Sequence, residues 1–161
     1  MNRLFLIPLL FFVSNSIFSA DKMTQANLEK IIKSLATKSK GNKGVVAFTY
    51  KQVNMLLVSN VTHNRMRIIS PVIRYKKLSR QQLDTIMQSN YHKSLDARYA
   101  VSNGILYSAY IHPLKELSIT QIKSALIQVA NLAISFGKQY SSGVLKFGNS
   151  KKKTSPVKYK L

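Results

Sequence analysis

The stretch Ala97–Pro113, ARYAVSNGILYSAYIHP, decides how this chain folds. Asn103-Gly104 at its centre is the preferred pair for a two-residue type I′ turn, which needs φ > 0 at both positions and twists as its flanking strands do. A β-hairpin follows, with Ser102 opposite Ile105, Val101 opposite Leu106, Ala100 opposite Tyr107, Tyr99 opposite Ser108, Arg98 opposite Ala109 and Ala97 opposite Tyr110. Alternation across the pleat puts Tyr99, Val101, Leu106, Ser108 and Tyr110 on one face and Ala100, Ile105, Tyr107, Ala109 and Ile111 on the other. Neither face is polar enough to lie plainly in water. Each calls for cover, from a helix of the same chain or from a partner.

Three helical patterns are available to supply it. Over Thr24–Lys38, Leu28, Ile31, Ile32 and Leu35 recur at i, i+3, i+4 and i+7, the spacing of one apolar helix stripe. A second helix starts at Ser79, where Ser79-Arg80-Gln81-Gln82 forms a capping box, and buries Leu83, Ile86 and Met87 before ending near Ser89-Asn90. The third starts at an identical device, Ser118-Ile119-Thr120-Gln121. It carries a wider apolar arc from Ile122 to Phe136, with Ala125, Ala130 and Ala133 allowing close approach to a sheet. That arc is the best cover for one face of the hairpin.

Between the first two helices, Val45–Tyr50, Met55–Ser59 and Arg65–Tyr75 read as three strands with short connections, hence an antiparallel meander. Pro71 interrupts the third and marks a bulge or an edge, because proline cannot donate to the ladder. The segment Lys38–Gly44 reads as a basic loop; its Gly41-Asn42-Lys43-Gly44 lacks the spacing and the Lys-Ser/Thr of a phosphate loop. The expected fold class is α+β: helix, three-strand meander, helix, hairpin, helix, a five-stranded sheet in one domain over 21–148.

The two ends differ in composition from this body. Residues 1–20 have the form of a signal peptide, with Arg3, the apolar run Leu4–Val13 and Ala20 before Asp21, which predicts cleavage after Ala20 and a periplasmic or secreted product. An uncleaved anchor is the alternative. Val144–Phe147 reads as a short strand or packed extension, and 149–161, with Lys151, Lys152 and Lys153, as a flexible basic tail. The chain has no cysteine, so disulfides, thiolate metal sites and a cysteine nucleophile are excluded.

Charge is the strongest compositional signal: 25 Lys and Arg against 5 Asp and Glu give +20. Such a field suits anionic partners, although Lys-rich surfaces also serve solubility alone. Arg65 and Arg67 alternate with Met66 and Ile68, so one face of that strand is basic; with Arg74, Lys76, Lys77 and the tail lysines it forms the anion-binding candidate. The acids Asp21, Glu29, Asp84, Asp96 and Glu116 include no pair on one helix face. His63, His92 and His112 lie in separate segments without a metal-ligand spacing. Neither catalytic residues, nor a metal, nor a cofactor is expected; a dispersed triad involving Asp96 or His112 is the enzymatic alternative.

The order helix, three strands, helix, two strands, helix resembles the type III secretion chaperone-like fold, and within it the YbjN-like group. The resemblance runs from Thr24 to Tyr140. Its sharpest part is Met87-Gln88-Ser89-Asn90-Tyr91 at a helix end, followed by the hairpin and the apolar helix Ile122–Phe136. It implies a non-enzymatic domain that binds protein segments, often as a homodimer. The secretion chaperones proper are cytosolic and usually acidic, so the basic charge and the leader point away from effector chaperoning in the cytosol. The resulting expectation is an exported protein-binding or assembly module of the cell envelope, meeting a protein partner or a second copy through Tyr99, Tyr107 or Tyr110, tyrosine being favoured at interfaces. The alternative is a basic module that binds an anionic polymer or membrane surface; nucleic acid is disfavoured because the basic residues lack an aromatic stacking platform.

Overall fold

Asn103 and Gly104 take φ of 49° and 71°, so the central turn closes as its sequence requires. The strands it joins, Arg98–Ser102 and Ile105–Pro113, pair antiparallel from Ser102 opposite Ile105 to Arg98 opposite Ala109, in the expected register. The computed structural model describes residues 22–143. In chain order its elements are α1 (Gln25–Leu35), β1 (Lys38–Asn42), β2 (Val45–Tyr50), β3 (Val53–Asn60), β4 (Arg65–Arg74), a short 3-10 turn (Tyr75–Lys77), α2 (Arg80–His92), β5 (Arg98–Ser102), β6 (Ile105–Pro113) and α3 (Ile119–Ser135). The expected leader 1–20, the extension Val144–Phe147 and the tail 149–161 lie outside the described residues.

The strands form one antiparallel sheet in the order β1-β2-β3-β4-β6-β5, so the meander and the hairpin meet where β4 pairs with β6. The α+β class stands, with one strand more than the sequence suggests. Lys38–Asn42 is an edge strand rather than a loop, and Lys43 and Gly44, at φ 50° and 92°, make the tight turn into β2. Every residue of β1 is exposed, so no apolar alternation announces it. It is held by its ladder to β2 and by α1: Glu29, buried, accepts from the Gly44 amide at 2.7 Å, and the Gln25 amide donates to Ser59 Oγ at 3.0 Å. A side chain at Gly44 would stand 2.6 Å from the Ser59 carbonyl oxygen, so the turn also demands glycine for space.

Both capping boxes form, at Ser79–Gln82 and Ser118–Gln121, and Thr24 caps α1. Pro71 sits at a register shift in the ladder between β4 and β6, which lets a proline occupy an interior strand. All three helices lie on one face. Leu28 and Ile32 of α1, Ile86 of α2 and the α3 arc Ile122, Leu126, Val129 and Leu132 pack on Val46, Phe48, Leu57, Met66, Ile68, Leu106 and Tyr110. Fully burying one such aliphatic side chain stabilises by about 1.5–3 kcal/mol, so this layer is the main source of stability.

Two side-chain amides fix the outer hairpin strand. Asn90 at the end of α2 accepts from the Tyr99 amide at 2.8 Å and donates to the Tyr99 carbonyl at 3.1 Å, pairing with β5 as a further strand would. This is the physical content of the Asn in Met87-Gln88-Ser89-Asn90-Tyr91 at the helix end. Gln128 of α3, also buried, accepts from the amides of Asp96 and Ala97 at 2.8 and 2.9 Å, holding the chain as it enters β5. Asn90→Ala strips two backbone groups of their partner and is expected to lower the unfolding free energy by about 1–3 kcal/mol. Urea denaturation measures this; a change inside the roughly 0.5 kcal/mol of an ordinary surface substitution would show that the amide does not hold the edge.

Candidate functional site

With the helices on one face, the other face of the six-stranded sheet is left open among the described residues. Strand alternation decides what stands on it. Cross-strand partners define one row of Lys40, Ala47, Leu56, Ile69, Ala109 and Arg98, running from edge to edge. The neighbouring row contains Val45, Val58, Arg67 and Ile111, and Tyr107 lies opposite Pro71 and Ala100 on the far side. Leu56, Val58, Ile69 and Tyr107 are half-buried, Ala109 is buried, and Ile111 is 56% exposed. The centre of the face is therefore a low apolar floor.

The six strands contain six cationic residues, Lys38, Lys40, Arg65, Arg67, Arg74 and Arg98, and no Asp or Glu. All six stand on the open face, because the opposite parity is taken by the core. Arg65 donates to the Asn64 carbonyl, and Arg98 to the carbonyls of Leu95 and Ala97, contacts that leave the charges uncompensated. The one ion pair recorded among the described residues, Arg80 with Asp84 at 3.4 Å, is on α2.

The structure thus brings Arg65, Arg67 and Arg74 of the anion-binding candidates onto one surface. Lys76 and Lys77 follow in the exposed 3-10 turn at its end, and Lys151, Lys152 and Lys153 lie outside the described residues. Lys38, Lys40 and Arg98 complete the face, and sequence reasoning missed them. Arg98 was readable from the hairpin register, which sets it beside Ala109; the two lysines required knowing that β1 is a strand.

The tyrosine candidates separate. Tyr99 and Tyr110 are 5% and 3% exposed on the helix-covered face, so neither can meet a partner, and the expectation for these two is corrected. The Tyr99 hydroxyl donates to the Leu132 carbonyl at 2.7 Å, and its ring meets Phe136 and Tyr140 edge-on. Tyr107 alone stands on the open face. Asp96 and His112 line one shallow cleft with Gln121 and Ser124, but each has a structural engagement: Asp96 accepts from Gln128 at 3.1 Å, and His112 stacks on Tyr110 with its Nδ1 2.8 Å from the Pro113 carbonyl. No group of three His, Asp or Glu able to hold a metal occurs among the described residues.

Two further apolar surfaces are present. On α2, Met87, expected in the buried stripe with Ile86, instead faces outward: Met87 and Tyr91 are 69% and 77% exposed one turn apart, and Val101, also exposed, lies on β5, the strand against which α2 packs. Between α1 and the start of α3, Met23, Ile31, Leu117 and Ile119 line a recess of 740 Å³.

Three solved structures share this architecture. The chain superposes on the chaperone of the HopA1-SchA chaperone-effector complex with a TM-score of 0.52 and 13% identity, over 68% of this chain and 88% of that one. The type III secretion chaperone SycH of Yersinia pestis, solved with a stable fragment of YscM2, gives 0.53 and 18%, over 70% and 98%. The ExsC-ExsE complex gives 0.51 and 12%, over 68% and 90%. The fold is that of the type III secretion chaperones. No protein-family model matches the chain, and no curated protein matches it in sequence. These likenesses carry the chaperone-like fold; they do not carry the YbjN-like grouping. They also overturn the periplasmic or secreted location expected from residues 1–20, since the type III secretion chaperones to which they point are cytoplasmic.

Burial pushes the Tyr99 phenol well above its ordinary value, and it raises Tyr110 too, helped by the charge of Asp96. Above pH about 10, unfolded tyrosines release protons that these two retain in the fold. The native state then binds more protons than the unfolded one, and stability falls as pH rises. The urea midpoint is expected to drop between neutral and strongly alkaline pH, with a shallower drop in Tyr99→Phe. Equal slopes in the two proteins would show that Tyr99 ionises freely while folded.

Proposed function

We propose that this chain is a non-enzymatic protein-binding module whose open sheet face receives a segment of another protein, and which pairs with a second copy through the flank formed by α2 and β5. The observation that carries the reading is the apolar floor of Leu56, Val58, Ile69, Tyr107 and Ala109 on a face that no described helix covers. A sheet that buries one side normally turns polar residues outward on the other, and apolar patches on a surface mark contact sites. The likeness to proteins solved as chaperone-effector and chaperone-fragment complexes supports it. An anionic polymer or membrane surface, the second reading, is favoured by the six cations of the same face but leaves its apolar floor without a role.

A photo-cross-linking phenylalanine analogue at Tyr107 tests the first part in the native cells. The expected product is a discrete adduct with one protein, identified by mass spectrometry and absent when the analogue replaces Thr120 on α3. Adducts to lipid or polysaccharide, or none, would overturn it.

The paired copy rests on Met87 and Tyr91, large side chains that stand mostly in water. The protein is expected to run at twice its monomer mass of 18.2 kDa in light scattering. Met87→Glu should return it to the monomer, since a charge in a desolvated contact is costly. A wild-type monomer would remove this half of the proposal and leave the open face untouched.

A further inference from the structure

Resting on the protein-binding reading, we infer that the segment received by the open face is acidic and amphipathic: carboxylates along its margins and an apolar side against the floor. The row Lys40, Ala47, Leu56, Ile69, Ala109, Arg98 is apolar in the middle and cationic at both ends. Strands lie about 4.8 Å apart, so the row spans about 24 Å. A helix of about 16 residues has that length. Arg65 and Arg67 stand further along β4, and Lys38 further along β1, so cations border the floor on more than one side. Each lacks a carboxylate partner among the described residues. Clustered like charges around a low-dielectric floor focus the field and favour a complementary anionic partner.

The occupant comes from outside this chain, and charge is the reason. A second copy would set another six cations against the first. The tail 149–161 carries five lysines and no acid, and Leu4–Val13 has neither charge nor acid to offer. The whole chain has five acids, of which Glu29 is committed to the Gly44 amide and Asp84 to Arg80. A membrane is the poorer fit, because insertion needs apolar side chains that protrude. Here Ala47 and Ala109 are short, and Leu56 and Ile69 are already half-buried in the sheet face. A polyanion would use the cations and leave the floor wet. A protein segment with side chains reaching down uses both.

The test uses the full chain and three synthetic 16-residue peptides: Glu and Leu at helical spacing, the same with Lys for Glu, and the same with Ser for Leu. Vesicles of anionic phospholipid form a fourth probe. Fluorescence anisotropy is expected to show binding of the Glu-Leu peptide, weakened about tenfold by Arg67→Glu and comparably by Ala109→Lys. Lys123→Glu, an equal charge change on exposed α3, should leave it within about twofold. Circular dichroism and urea midpoints confirm that each variant folds, and Arg67→Glu, at an exposed position, serves if Ala109→Lys does not. Equal binding of the Ser-containing peptide would replace the inference with simple polyanion binding. Preference for the Lys peptide, or vesicle binding that Arg67→Glu abolishes while no peptide binds, would overturn it. A Tyr107 cross-link to a protein whose contacting segment lacks acids would overturn the acidic chemistry while leaving the protein-binding reading intact.

Discussion

The pairing of β4 with β6 is the constraint on which the rest of the molecule depends. It joins a local meander to a local hairpin, each of which its own turns specify, and it is the contact between strands most distant in sequence. Its register sets Ile68 against Tyr110 on the helix side and Arg67 against Ile111 on the other. A slip of one residue would carry the arginines into the core and expose Met66 and Ile68. Burial of those two apolar side chains and the desolvation of two guanidinium groups thus act in the same direction. The bulge at Pro71 confines the irregularity to the far end of the ladder, beyond the residues whose facing matters most.

Onto this sheet the helices are fastened by polar side chains as well as by apolar packing. Glu29, Asn90 and Gln128 each spend their hydrogen-bonding groups on backbone amides that no strand partner reaches, at the first turn, at the β5 edge and at the entry to β5. Ser108 does the converse, donating to the Val129 carbonyl of α3 at 3.0 Å. Such groups contribute modestly when satisfied and are expensive to leave unpaired, so they specify where each helix sits more than how tightly it binds. Asn64 plays the same part at the loop before β4: with φ of 48° it accepts from the Lys115 amide at 2.8 Å and donates to Glu116, whose carboxyl is held below its ordinary range chiefly by that bond.

The features legible in the sequence are those with short-range causes. The Asn103-Gly104 turn, both capping boxes and the break at Pro71 need only neighbours a few residues away, and the hairpin register follows from its turn. The strand β1 was not legible, because Lys-Ser-Lys-Gly-Asn has no apolar side to bury; it exists through its ladder to β2 and the contacts of Gln25 and Glu29. The two faces of the hairpin could be listed but not told apart. Tyr99 and Tyr110 belong to one set and Tyr107 to the other, yet both sets are apolar, and only the docking of α3 decides which is covered. The basic face was half legible: Arg65 and Arg67 declare a side by alternating with Met66 and Ile68, whereas Lys38 and Lys40 acquire one only once β1 is placed.

A face with six cations and no carboxylate is a burden on the isolated fold. No two of the six face each other across strands, but Arg65 and Arg67, and likewise Lys38 and Lys40, stand two apart along one strand, about 7 Å. That separation falls inside the roughly 8 Å screening length of physiological salt. Water on the open side weakens this repulsion, and the apolar positions between Lys40 and Arg98 keep the edges of the sheet electrically apart. An occupant bearing carboxylates would relieve the remaining repulsion and cover the floor in one step. Binding and stability are therefore linked on this face: what binds only the folded sheet must also stabilise it, and the residues that hold the partner are the ones that weaken the sheet in its absence.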